Sequence, residues 1–279
     1  MNSENVKIRQ EVDLQYSWYI LSFLCIYIGS FLIPGVIFFI YIGIFFIPNI
    51  LQVSNIYILF TEFDSLLTLI LWPFIIIGCY LMHLFLVGLI TRGIWRLTEK
   101  ISPIKDGIIP RNIQSKTLKF YHFRSFIIRY GRNSFKKGPF PWLINWFYNF
   151  TGSNKIGKNT TIEEQLGGDR SIEIGKNSYI GVNSIFTSQL VDGIFGNVSY
   201  FKIKMGDNVT AGGWNCFGPG ALIGNNSYLL PSASGGKHYT LKGKGNYYFG
   251  QPVKKLFKKY IKNYLNLAEE NLRREIDEE

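Results

Sequence analysis

Histidine and cysteine are both scarce, three of each in 279 residues, and each scarcity closes off a class of chemistry. Cys25 and Cys79 lie in apolar segments and Cys216 in a glycine-rich one, a spacing that fits neither a disulfide framework nor a zinc site. Reduced thiols and no metal centre are expected. There is no phosphate-cradling P-loop. Gly218-Pro-Gly220 lacks the third glycine and the strand–turn–helix setting of a dinucleotide fingerprint. Acidic residues are also few, 19 against 30 Lys and Arg, for a formal charge of +11. With 47% hydrophobic and 16% aromatic residues, that excess suggests a membrane surface before it suggests nucleic acid.

Charge is missing altogether from residues 18 to 51 and 66 to 91. Each run exceeds the roughly 20 apolar residues that cross a bilayer. The first is too long and too late for a cleaved signal peptide, and Tyr16, Trp18 and Tyr19 at its start form an interfacial aromatic belt. Pro34-Gly35 predicts a kink, the alternative being a re-entrant pair of short helices. His83, alone in the second run, fits a proton relay or a polar contact with a neighbouring helix. The expectation is a membrane anchor over 1–91, with transmembrane helices at about 18–47 and 66–91.

Residues 52–65 hold Glu62 and Asp64 but no Lys or Arg, whereas twelve basic residues follow between Arg92 and Lys137 against only Glu99 and Asp106. The positive-inside rule then puts both termini on the cytoplasmic side of a multi-pass cell-membrane protein. In the basic, aromatic segment 92–150, Phe120-Tyr-His-Phe-Arg-Ser-Phe-Ile-Ile-Arg-Tyr130 alternates rings and cations as a headgroup-level segment does. Membrane lipids are the partners this implies. RNA rests on the same residues but ranks below, because the segment abuts a span; no nucleic-acid partner is expected.

What the chain has in abundance begins after Phe150. Ile156, Ile162, Ile174, Ile180 and Phe186 keep a six-residue step with one slot blank. Met205, Ala211, Phe217, Ile223 and Leu229 keep it again. Five hexads read apolar-Gly-x-Asn-x, as in Ile174-Gly-Lys-Asn-Ser178. A period of six matches neither a helix face nor an alternating strand. It matches a chain that runs straight, turns and runs straight again, with Gly and Asn at corners that need positive φ. Ile156, Ile174, Ile180, Met205, Phe217 and Ile223 should point inward. Eighteen residues would make one three-sided coil, giving four to five coils over 156–234. The frame breaks once, between Phe186 and Met205, and Gln189 to Lys204 read as a loop or bulged coil. The fold class expected is mainly β: a parallel β-helix over 151–253, after two transmembrane helices and before a C-terminal helix at 254–279, where the period turns helical.

These hexads, with Gly250-Gln-Pro-Val-Lys254, resemble the left-handed β-helix acyltransferases, the hexapeptide-repeat superfamily, with Val253 where that family's closing motif has Ala. The layout of spans, Arg92-Gly-Ile-Trp-Arg96, Gly138-Pro-Phe-Pro141 and hexads further resembles the membrane C-terminal units of ε-polylysine synthetases and related nonribosomal peptide synthetases. The resemblance implies a homotrimer. An acyl thioester, from acyl-CoA or a carrier protein, lies in the groove between neighbouring β-helices as donor substrate, and no cofactor is tightly bound. A histidine takes the acceptor's proton while backbone amides hold the oxyanion. A carrier protein or a synthetase is a possible partner.

The family's histidine usually sits at the frame break, where Thr187-Ser-Gln-Leu-Val-Asp-Gly193 has none. Catalytic candidates are therefore His238 in the closing loop, Asp192 if desolvation raises its pKa, and Gln189 at the place of the missing histidine, although an amide is no base. His122 reads as a surface residue. Donor-binding candidates are Trp214, Asn215 and Lys237. Trp214 at a corner projects from the prism and can stack on an adenine or pack at a trimer contact. Asn215 at an inward slot also reads as part of an internal Asn ladder. A non-catalytic trimeric scaffold and an accessory subunit of a split peptide synthetase remain open beside the enzyme.

Overall fold

The computed structural model describes residues 15–163, 167–193, 196–257 and 260–261. Helix α1 (Tyr16–Tyr41) continues as a π-helix over Ile42–Leu51. The short α2 (Ile58–Thr61) precedes α3 (Phe63–Ile101), and α1 and α3 pack side by side. Both rods are long and apolar enough to cross a membrane. Pro34 sits inside α1 without splitting it, so the first run is one continuous rod and not a re-entrant pair. The outer faces carry bare large side chains such as Phe39 at 73% and Phe74 at 66% exposure. The seam between the rods is small and polar: the Tyr41 hydroxyl donates to the Thr68 carbonyl at 2.6 Å, and Asn49 Nδ2 to Thr68 Oγ1 at 3.1 Å.

The second rod extends ten residues past the apolar run, and the segment after it folds as helices. Ser115 caps α4 (Lys116–Lys136), its Oγ accepting the Leu118 amide at 3.1 Å, and α5 (Ile144–Thr151) ends at Gly152 with φ 83°. Helix α4 stands beside the rods: Tyr19 stacks on Phe123 and Phe126, and Tyr130 meets Phe23, Tyr27 and His83. The alternation of rings and cations seen in the sequence is therefore a helix with a buried stripe of Leu118, Ile127, Ile128 and Phe135. Gly131 is required in that stripe, because a Cβ there would come within 2.3 Å of the Phe147 ring of α5.

From Lys155 the chain winds as a parallel β-helix with three faces. Ile156, Ile174, Met205, Ile223 and Leu241 stack inward on one face, and Ile162, Ile180, Ala211, Leu229 and Tyr248 on the second. Phe186, Phe217 and Gly235 line the third, with the two phenyl rings parallel at 5.6 Å. All six side chains expected inside are buried, Ile180 and Phe217 completely. Asn159, Asn177, Asn208 and Asn226 hold one corner at φ between 52° and 58°. Their amides pair in twos, Asn159 Nδ2 to Asn177 Oδ1 at 3.2 Å and Asn208 Nδ2 to Asn226 Oδ1 at 3.0 Å.

Two expectations change. Thr161 pairs with Tyr179 across 18 residues, but Tyr179 pairs with Thr210 across 31. The frame break is thus an excursion of thirteen residues and not a bulged coil. It forms an antiparallel hairpin (Gln189–Asp192 with Asn197–Tyr200), joined by a strand from before α4 (Gly107–Ile109) that the sequence reading did not foresee. At the far end, Lys254–Lys255 add antiparallel to Asn246–Phe249 rather than starting a helix; Tyr260 and Ile261 have helical backbone, and residues 258–259 and 262–279 of the expected C-terminal helix lie outside the described residues.

Helix α5 closes the open first coil. Asn149 supplies both halves of a strand neighbour, accepting the Ile156 amide at 2.8 Å and donating to the Ile156 carbonyl at 2.9 Å. Ile162 packs against both the coil core and the helical core. Ile180→Asp is expected to abolish cooperative folding of the coil, since an unpaired buried charge ranks among the most destabilising substitutions. Circular dichroism and thermal melting of the solubilised variant read this, and a wild-type melt would contradict the inward assignment.

Candidate functional site

The excursion and the third face make the site. The hairpin is anchored at its root by Gln189, whose Oε1 accepts from the Tyr121 hydroxyl at 2.5 Å and from Arg170 Nη2 at 2.7 Å. The Arg170 guanidinium is buried, 4.2 Å above the Tyr121 ring and 5.5 Å from the Tyr200 ring, and its Nη1 donates to the Tyr121 carbonyl at 2.8 Å. Gln189 is accordingly a hairpin anchor, with its acceptor oxygen doubly occupied by α4 and the first coil. A catalytic part for it is withdrawn. Half-buried His122 lies against Tyr121 at 5.2 Å between ring centroids; desolvation, then Arg111 and Arg170, push its imidazole below the usual range. It is neutral near pH 7.

Further along the hairpin, Asp192 accepts from Lys237 and from the Ser199 hydroxyl, and Lys237 Nζ lies 2.8 Å from Ser199 Oγ. The Lys237 hydrogen bond, the Ser199 hydroxyl and then the lysine charge hold the Asp192 carboxyl below its ordinary value. The expectation that desolvation would raise it is overturned by the cation beside it. Asp192 stays a carboxylate at neutral pH and is a poor base. The pair ties the hairpin to the closing turn that carries His238.

His238 occupies a left-handed corner, φ 53°, with its amide donating to the Pro219 carbonyl at 2.9 Å. It is exposed, edge-on to Phe201 at 4.5 Å. Gly220 lies one coil below at φ 76°, and a Cβ there would sit 2.5 Å from His238 Nδ1, so only glycine leaves room for the imidazole. Trp214 holds the opposite corner of the same face at φ 55° and 66% exposure. A left-handed backbone costs a bulky L-residue about 1–2 kcal/mol. Here that strain projects an indole off the prism. Between the two corners the floor is the outward row Ile185, Cys216 and Ser234, and Leu190 of the hairpin leans to within 3.2 Å of where a Gly218 Cβ would be.

Asn215 is not on this surface. It is wholly buried, its Nδ2 donating to the Leu230 and Ala233 carbonyls at 2.8 and 3.2 Å while Oδ1 accepts the Gly213 amide at 3.1 Å. It braces the turn behind Trp214, as the internal reading had it, and has no group left for a ligand. The structure thus brings His238, Lys237 and Asp192 together, sets Trp214 across the face from them, and withdraws Gln189 and Asn215. Sequence reasoning missed Arg170, Tyr121 and Ser199; the only signal was that Asp169-Arg170 interrupts the hexads at the blank slot. Among the described residues no cluster of His, Cys, Asp or Glu is placed to hold a metal.

No protein-family model and no curated protein matches the sequence. Among solved structures, the chain is similar to a hexapeptide-repeat acetyltransferase of Vibrio cholerae at 20% identity, over 39% of this chain and 64% of that one, with a TM-score of 0.35. It is similar to AntD, an N-acyltransferase of Bacillus cereus seen with dTDP and 3-hydroxybutyryl-CoA, at 19% identity over 43% and 67%, TM-score 0.28. A maltose O-acetyltransferase of Clostridium difficile follows at 16% identity over 61% and 87%, TM-score 0.31. The match spans less than two thirds of the Vibrio protein.

The ion pair predicts an acid response. Because the folded Asp192 pKa is depressed, its contacts add stability above the unfolded carboxylate value of about 3.9, and lose it as pH falls through the lower folded value. Hydrogen exchange of the hairpin, corrected for intrinsic rates, should show wild-type protection surviving into more acid solution than that of Lys237→Ala. Identical acid profiles would contradict the pair.

Proposed function

We propose that this chain is a membrane-anchored acyltransferase or amide-forming enzyme. It moves an acyl group from a thioester, acyl-CoA or carrier-linked, to a hydroxyl or amine. In this reading the β-helix is left-handed, lies on the cytoplasmic side of two spans, and assembles as a homotrimer. The observation that carries it is the third face: an exposed imidazole on one corner, a strained and exposed indole on the other, and a thirteen-residue hairpin leaning over the floor between them. The resemblance of the hexads and closing motif to the hexapeptide-repeat acyltransferases gives that face its chemistry.

The step follows from the groups available. The acceptor's oxygen or nitrogen attacks the thioester carbonyl while His238 takes its proton, and the tetrahedral oxyanion rests on backbone amides. Collapse breaks the carbon–sulfur bond, and the proton leaves from His238 to the thiolate. Imidazole suits both transfers, because its ordinary pKa lies near neutrality. Trp214 stacks on the donor's adenine. Lys237, held by Asp192, fixes the turn that presents His238.

The second reading is a non-catalytic trimeric scaffold, or an accessory subunit of a split peptide synthetase. One observation favours it: the excursion offers no base, since Gln189 is locked to Arg170 and Tyr121 and Asp192 is held ionised. His238→Ala separates the two. In a thioester-consumption assay with the solubilised full chain, the enzyme reading expects kcat to fall about 10²–10⁴-fold, with KM for the donor and the mass of the assembly unchanged. Full activity in the variant removes His238 from the mechanism, and absence of any transfer by wild type with acyl-CoA or an acyl-carrier donor leaves the scaffold.

A further inference from the structure

Two buried cations in this fold have no acid paired with them. Arg124 of α4 and Arg170 of the first coil are 5% and 3% exposed, and neither forms an ion pair among the described residues. Every hydrogen-bond acceptor they reach is neutral. Arg124 Nε donates to Thr98 Oγ1 at 3.1 Å and Nη2 to the Thr98 and Ser102 carbonyls, which leaves Nη1 without a partner among the described residues. Arg170 donates to the Tyr121 carbonyl and to Gln189 Oε1. Burial pushes the Arg124 pKa down; Tyr200 and Glu99 oppose that, and Arg170 adds to it. A guanidinium still keeps its proton at neutral pH. Two positive charges are therefore buried near each other, which is strongly unfavourable unless a negative charge offsets them.

Both line one small cavity of about 20 Å³. Thr117 and Tyr121 join Arg124 there at positions i, i+4 and i+7 of α4, so one face of the helix supplies all three. Thr117 lies in the first turn, where the helix dipole favours negative charge. Lys105 and Tyr200 complete the polar lining, and among the described residues no carboxylate belongs to it. The Tyr200 and Ser171 hydroxyls share a single hydrogen bond, so one of their two protons is left for another acceptor. Glu99 and Asp106 act on the cluster from outside the lining, and Asp106 already accepts the Lys202 amide at 3.1 Å. Lys105 and Thr117 are exposed, which opens the cavity to solvent.

We propose that this cavity binds one small monovalent anion of chloride size, on Arg124 Nη1, the Arg170 guanidinium and the Tyr200 hydroxyl, with Lys105 at the mouth. The volume admits one sphere, since a single water needs roughly 10–15 Å³, and it excludes a four-oxygen anion such as sulfate or phosphate. Charge then decides between the two spheres. Water leaves both guanidiniums uncompensated, whereas chloride offsets them. The ion also has a mechanical consequence. Arg124 holds the end of α3 and Arg170 holds the hairpin root through Gln189, so one anion between them ties the hairpin to the rods. The proposal depends on neither acyl transfer nor membrane insertion.

The test uses the full chain in detergent, exchanged into sodium gluconate and titrated with sodium chloride at constant ionic strength. Melting temperature should rise saturably with chloride and with bromide, and hydrogen exchange of the Gln189–Asp192 strand should slow over the same range. Sulfate should produce neither effect. Chloride affinity should fall about tenfold in Arg124→Gln and in Arg170→Gln, fall about twofold in Lys105→Ala, and stay unchanged in Lys242→Ala on the far coil. Crystals of the wild type grown in bromide locate the ion without any variant, as an anomalous peak between Arg124 and Arg170. Equal melting temperatures in chloride and gluconate overturn the proposal, as does an equal rise with sulfate, which is general screening. An anomalous map without a peak in the cavity, or a chloride response kept in full by both glutamine variants, overturns it as well.

Discussion

The constraint on which this molecule depends is the stacking of each coil on the next, backbone to backbone, at a step of 18 residues. Parallel pairing of that kind leaves no freedom at the corners: each must turn sharply at the same height as its neighbour. That is why Asn recurs at φ near 55° along one edge and why inward positions stay apolar through five layers. It also fixes where extra chain can be accommodated. The thirteen inserted residues leave and re-enter at a single corner, because any other arrangement would break the pairing of Tyr179 with Thr210 and of Ile185 with Cys216. The same rule gives the third face its character. Trp214 and His238 are corner residues, turned outward by left-handed backbone at φ 55° and 53°.

A stacked coil has an unpaired edge at each end, and this chain closes the first with a helix. Asn149 stands in for a missing strand at Ile156, and Asn145 donates to the Thr160 carbonyl at 2.7 Å. Because α5 packs against α3 and α4, the cap makes the coil continuous with the long rods. Arg170 adds a second tie, joining α4 to the hairpin root through Tyr121 and Gln189. Arg124 on the same helix reaches the other way, its guanidinium donating to carbonyls at the end of α3. A run of hydrogen bonds and packed rings thus connects the end of the second rod to the hairpin over the third face.

Much of this was legible in the sequence, for a physical reason: a repeat writes its geometry in period and composition. The inward residues, the corners, the place of the frame break and the two apolar rods could all be read from spacing. What was not legible depends on contacts between distant segments. Helix α4 alternates rings and cations because one side packs on α1, α3 and α5, and a sequence window shows the alternation without the partners. The roles of Gln189 and Asp192 turn on Arg170, Tyr121 and Lys237, which lie up to 68 residues away in sequence. Asn215 was readable as an inward slot, but only the turn carbonyls of Leu230 and Ala233 show that its amide is fully used.

The central claim is that the face between Trp214 and His238 receives a thioester donor. The direct measurement is a thermal-shift titration of the solubilised full chain with acetyl-CoA. A ligand that binds only the folded state raises stability by about 2.7 kcal/mol at a hundredfold excess over its dissociation constant. The account predicts a saturable rise in melting temperature for wild type that is lost in Trp214→Ala. A wild-type melting temperature indifferent to acyl-CoA, or one that rises equally without the indole, would contradict it.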